Sequence, residues 1–159
     1  MRCSPSRCAV RSRLSIAESA SAWSRRLIQL VSTLAELDGK ARVIALCCHG
    51  DSGTIVLPDL ASRVRATQRI KDPFRPAHLQ AHARFAGSIV LGLGCGIGRL
   101  GWSRALRVAG ALAYIAPDGD PEGNAALVFA IQFCYRHLAC GQPPAVAHAA
   151  ASAAVGSAS

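Results

Sequence analysis

Two short apolar runs constrain this chain more than any other feature. Arg42-Val43-Ile44-Ala45-Leu46-Cys47-Cys48 and Ser88-Ile89-Val90-Leu91-Gly92-Leu93-Gly94 are rich in Val, Ile and Leu and do not alternate with polar residues. Runs of that kind read as strands covered on both faces, which is the habit of a parallel sheet. Parallel neighbours need crossover connections, usually helical. The rest of the chain supplies them. Ala20 to Leu37 has helical periodicity and stops at Asp38-Gly39, and the strand at 42–48 follows. Thr54-Ile55-Val56-Leu57 is a short extended piece stopped by Pro58, and a basic loop runs over 61–76. Pro76 opens a short helix to Phe85, and the second strand occupies 88–95. A Gly-rich loop, a helix over 102–109 capped by Gly110 and a third strand over 111–116 come next. Helices over 125–140 and 143–154 follow a polar loop at 117–124. This order predicts an α/β domain with a mainly parallel sheet.

The 159 residues suffice for one core. The expected division is a poorly ordered basic segment at 1–17, a single α/β domain at 18–154 and a frayed tail at 155–159, low in complexity after Ala149. No apolar run is long enough to span a bilayer, and the first residues lack a secretory apolar core. Seven cysteines form no framework spacing: Cys47 and Cys48 are adjacent and no Cys-x-x-Cys occurs. Reduced thiols in a cytoplasm are therefore expected, with neither a disulfide scaffold nor a structural zinc site. The net charge of +9 is carried mostly by scattered arginines with few aromatics between them, so a nucleic-acid surface is not expected.

The chemistry gathers at the ends of the strands. His49-Gly50 closes the first run and Cys95 the second. In an open parallel sheet the carboxyl ends of the strands share one edge, where reactive groups meet. A His and a Cys so placed suggest a nucleophile and its base. Asp118 and Asp120 follow the third strand at the same edge. Other candidates have plainer readings. Asp51 reads first as a turn former, and Cys47, Cys48 and Cys134 as small buried hydrophobes. Trp102 and Phe133 read as core. His78 and His82 have a spacing that can ligate a metal but lack a third ligand nearby. They read, with His137 and His148, as helix residues that pack or are solvated. No cofactor is expected.

The strand ending in His49-Gly50, the segment Asp51 to Leu60 and the strand ending in Cys95 together resemble the caspase-like cysteine peptidases, most closely their bacterial CHAT branch. Ala109-Gly110-Ala111, the Asp118/Asp120 loop, Phe133 to Leu138, Gly141 and Ala147 to Ala151 extend the likeness over 42–151. His49 and Cys95 are 46 residues apart, near the spacing of about 50 in caspases. The resemblance implies a caspase–haemoglobinase three-layer sandwich and a cysteine endopeptidase acting on protein or peptide. His49 would be the base and Cys95 the nucleophile, with the N–H groups of Gly50 and Cys95 as oxyanion hole. Asp118 and Asp120, and less directly Asp51, would serve substrate specificity, with acids at this edge suited to a basic P1 side chain. The chain departs from the family in carrying Leu93-Gly94 before the Cys and Pro117 after the third strand. It also has only some 40 residues before the His strand, where the family supplies two more strands. An exposed sheet edge at 42–48 is thus expected, open to a second copy or a partner protein.

Two other readings stand beside this one. Gly96-Ile97-Gly98-Arg99-Leu100-Gly101 is a GxGxxG between a strand and a helix, with Asp118 beyond the next strand, as in a Rossmann-type dinucleotide-binding domain. A catalytically degenerate domain kept for protein interaction is the third.

Overall fold

The computed structural model describes residues 27–36, 38–56 and 73–156. Expectations for 1–17, for the start of the first helix at 20–26, for 57–72 and for 157–159 lie outside them. The described chain runs α1 (Leu27–Glu36), β1 (Val43–Leu46), β2 (His49–Asp51), β3 (Thr54–Val56), α2 (Pro76–His82), β4 (Ile89–Gly92) and α3 (Leu100–Val108). It continues with β5 (Ala113–Ile115), α4 (Gly123–Cys134), a π-helical turn (Tyr135–Ala139) and α5 (Pro144–Gly156). Strands β1, β4 and β5 form a parallel sheet with β4 in the middle, and β2 and β3 form a separate antiparallel hairpin.

Alternation along β4 builds the core on both faces. Val90 faces Ile44, Leu34, Leu79, Phe85, Trp102 and Leu106. Ile89 and Leu91 face Ala130, Phe133, Ala147 and Ala151. Helices α1, α2 and α3 therefore cover one side of the sheet and α4 and α5 the other. Every residue of β4 is buried, as its unbroken apolar pattern requires. At about 1.5–3 kcal/mol for each large apolar side chain fully buried, this strand is the main source of packing energy in the sheet.

Several boundaries differ from expectation, each for a local reason. The apolar run at 42–48 gives a strand only to Leu46, because His49 pairs instead with Val56 and so opens the hairpin. The run at 88–95 stops at Gly92; Leu93 N–H still donates to Leu46 O at 3.0 Å before the chain turns with Gly96 at φ +63. Strand β5 is shorter than 111–116 because Ala111 N–H goes back to Leu106 O and closes α3. Helix α3 begins at Leu100, two residues earlier than Trp102. The helix expected over 125–140 is α4 followed by a π turn, with Cys140 N–H bonded to Tyr135 O. Past Ala149 helix α5 continues through Val155 and Gly156, with Ala151 fully buried.

Candidate functional site

The register of the parallel pair sets the geometry. Leu46 stands opposite Gly92. His49 and Cys95 each lie three residues beyond that pair, past the carboxyl ends of β1 and β4. The backbones stay in contact there. A side chain at Gly94 would meet Cys48 O at 2.6 Å and Cys48 Sγ at 2.9 Å. A side chain at Gly50 would collide with the Cys95 carbonyl. Contacts thus bracket the His and the Cys on both sides, and both depend on glycine. His49 is exposed and Cys95 half-buried.

The hairpin that carries His49 is locally determined. Ser52 and Gly53 have φ of 48° and 80°, which fits a two-residue turn whose twist suits the strands. Thr54 Oγ1 donates to Asp51 O at 2.8 Å, and Ser52 Oγ donates to the Asp51 carboxylate at 2.9 Å. Asp51 is thus a turn residue at the far end of β2. On its other side β3 pairs with Phe74: Ile55 N–H donates to Phe74 O at 2.9 Å and Phe74 N–H to Ile55 O at 3.1 Å. Both polar groups of Ile55 therefore point away from β2. Gly50, opposite Ile55, is accordingly the non-hydrogen-bonded kind of pair, and its own N–H points out of the hairpin. Among the described residues no backbone carbonyl takes the Cys95 N–H.

Two aromatic side chains, buried Trp102 and half-buried Tyr114, fasten this edge. Trp102 Nε1, on α3, donates to Gly53 O at 2.8 Å and ties the hairpin turn to the helix. Tyr114 Oη, on β5, donates to Ile97 O at 2.7 Å and holds the turn that follows Cys95. Burial, with a smaller contribution from Cys48, keeps the Tyr114 phenol well above its ordinary range. Burial also pushes the Cys48 thiol up to about 11, helped by the neighbouring Cys47 and Cys95. The Cys134 thiol is raised by burial alone. Cys47 is exposed, contrary to its reading as a buried hydrophobe, and lies just beyond the end of β1. Cys48 and Cys134 are half-buried, whereas Trp102 and Phe133 are core.

The acidic loop is attached to the same edge. Gly96 N–H donates to Gly119 O at 3.0 Å, and Gly98 packs on the Pro117 carbonyl with no room for a side chain. Asp118 and Asp120 flank Gly119 and are exposed. These contacts use the GxGxxG motif for chain packing: one N–H of the loop is already bonded, and the opening at Gly98 is filled by protein. The histidines outside the edge pack. His78 Nδ1 accepts the Arg75 N–H at 3.2 Å and its ring lies 5.7 Å from Phe74. His137 lies tilted against Phe133, with Nδ1 2.8 Å from Gln142 O, and His148 meets Phe129 edge-on. The His82 side chain lies outside the description. Among the described residues no group of three or more His, Cys, Asp or Glu is placed to hold a metal ion.

Sequence reasoning missed Cys48, Trp102 and Tyr114 as parts of this edge. Only the glycines at 92, 94, 96 and 98 signalled that chains approach closely here. Compared with protein-family models, curated proteins and solved structures, the chain matches none.

Proposed function

We propose that this chain is a CHAT-type, caspase-like cysteine peptidase domain with Cys95 as nucleophile and His49 as general acid and base. One observation carries the reading: backbone contacts at Cys48–Gly94 and Gly50–Cys95 hold the two segments together on either side of the pair. Helices on both faces of a parallel sheet, and a hairpin after the His, fit the same reading. His49 takes the Cys95 thiol proton, and the thiolate attacks the scissile carbonyl. The N–H groups of Gly50 and Cys95 receive the developing oxyanion, a task suited to fixed backbone dipoles. His49 then gives its proton to the leaving amine. In the second half it deprotonates water, which attacks the thioester and releases the carboxylic acid. Asp118 and Asp120 would favour a basic residue on the acyl side. Cys47, Cys48, Cys95 and Cys134 are in no disulfide, which fits a reducing cytoplasm. Among the described residues no helix is long and apolar enough to cross a membrane.

The test is cleavage of a peptide library together with labelling by a peptidyl acyloxymethyl ketone. The proposal expects cleavage, a covalent adduct on Cys95, and loss of both in Cys95→Ala. Removal of the base in His49→Ala should slow cleavage by about 10²–10⁴-fold. A folded chain that neither cleaves nor labels would favour an interaction domain without catalysis.

A further inference from the structure

The geometry points to the outer edge of β5 as a docking site for an extended peptide that carries an acidic side chain. β5 stands at one end of the parallel sheet, and among the described residues no strand lies beyond it. Leu112 N–H donates to Ser88 O at 2.8 Å, toward β4. Backbone groups alternate in direction along a strand, so the N–H and C=O of Ala113 and Ile115 point the other way, out of the sheet. They are set to pair with one more strand.

A groove of about 660 Å³ runs along this edge, a volume within the roughly 300–1,000 Å³ of ligand clefts. One wall is α3, through Ser103 and Arg107, which are four residues apart and share a face of the helix. The other is β5 with the residue before it, through Tyr114 and Leu112. Tyr114 packs on the α3 side of the sheet, and Leu112, two residues earlier and 69% exposed, points the same way. Gly87 and Gly110 border the groove and add no side chain to fill it. A strand laid between an edge strand and a helix is a recurring mode of peptide recognition: main-chain bonds hold the peptide and alternate side chains select it.

Arg107 decides which peptide fits. Among the described residues it is the only charged side chain lining the groove, and no carboxylate pairs with it. A carboxylate on the incoming strand supplies that partner, and a guanidinium can take it through two parallel hydrogen bonds. A second copy of the chain does not. Its own β5 is uncharged, and its α3 carries Arg104 and Arg107 but no acid. His49, Gly50 and Cys95 do not line the groove, so the inference stands apart from peptidase activity.

Nuclear magnetic resonance titration of the full chain tests it, in a Cys95→Ala parent so that no peptide is cleaved. The probe is an acetylated and amidated peptide of alternating Val and Thr with one central Glu, beside its Gln and Lys counterparts. In the free chain the Ala113 and Ile115 amides should exchange rapidly with solvent. The Glu peptide should slow both by about tenfold or more. It should bind about fivefold more tightly than the Gln peptide, as a partly exposed ion pair allows. Adding Arg107→Glu should cost the Glu peptide its advantage and pass it to the Lys peptide. Arg107 is exposed, and the spread of the amide spectrum checks that folding is kept. If that variant fails to fold, the ranking of the three peptides on the parent carries the test. The inference is overturned if no peptide binds at millimolar concentration, if the three bind alike, or if folded Arg107→Glu ranks them as the parent does. It is equally overturned if the two amides are already protected in the free chain, whether by the chain itself or by a second copy.

Discussion

At the residue scale the account turns on glycines and one half-buried thiol. Gly50 permits the hairpin to rest on the Cys95 carbonyl. In Gly50→Ala the methyl group has to push those backbones apart. A cost of about 1–3 kcal/mol in denaturant unfolding is expected, the range for overpacking a close contact. Peptidase activity should fall by roughly 10²-fold from about an ångström of misplacement. Cys48 gives a prediction about pH. Its folded pKa, about 11, lies above the ordinary thiol value of 9.0, so between those values the folded state holds a proton that the unfolded state has lost. Stability should therefore be intact below pH 9 and decline as pH rises toward 11, by up to roughly 3 kcal/mol from this group. Cys48→Ala should flatten that decline when unfolding is measured from pH 8 to 11. His49 and Cys95 were legible in the sequence as residues closing apolar runs. Cys48 was not, because its burial against Gly94 depends on a register that only pairing reveals.

At the element scale the hairpin β2–β3 is the part most separable from the core. Among the described residues it belongs to no larger sheet, and the Phe74 bridge and the Trp102 hydrogen bond help to fasten it. Trp102→Phe keeps the ring in the core but removes the donor to Gly53. A loss of about 1 kcal/mol is expected. Amide exchange should speed up across 49–56 while α3 and β4 stay protected, as read by hydrogen-exchange mass spectrometry. A uniform change along the chain would contradict a fastening role. Trp102 read as core from the sequence, correctly, but a side chain's second task as a donor has no sequence signal of its own. The break between α4 and the π turn was hidden for a similar reason. Residues 125–140 keep one continuous apolar helical pattern, and the change of pitch shows only in the hydrogen bond from Cys140 N–H to Tyr135 O.

At the scale of the whole molecule the sheet is the frame on which both helix layers and the site depend. Leu91 is fully buried and packs in the core on the α4 and α5 side. Leu91→Ala should destabilise the protein by about 2–5 kcal/mol in equilibrium denaturation, the cost of a cavity in a close-packed core. The parallel α/β plan was legible because non-alternating runs separated by helical periods leave few other arrangements. Strand ends were less so, since the hairpin competes for His49 and α3 for Ala111.

The central claim, a cysteine activated by His49, is tested most directly by the rate of iodoacetamide alkylation at each cysteine near neutral pH. Mass spectrometry resolves the sites in the parent chain and in His49→Ala. The account predicts that Cys95 reacts ahead of Cys48 and Cys134, and ahead of the more exposed Cys47. It also predicts that His49→Ala slows Cys95 alone. A Cys95 no faster than Cys47 and unchanged by loss of His49 would contradict it.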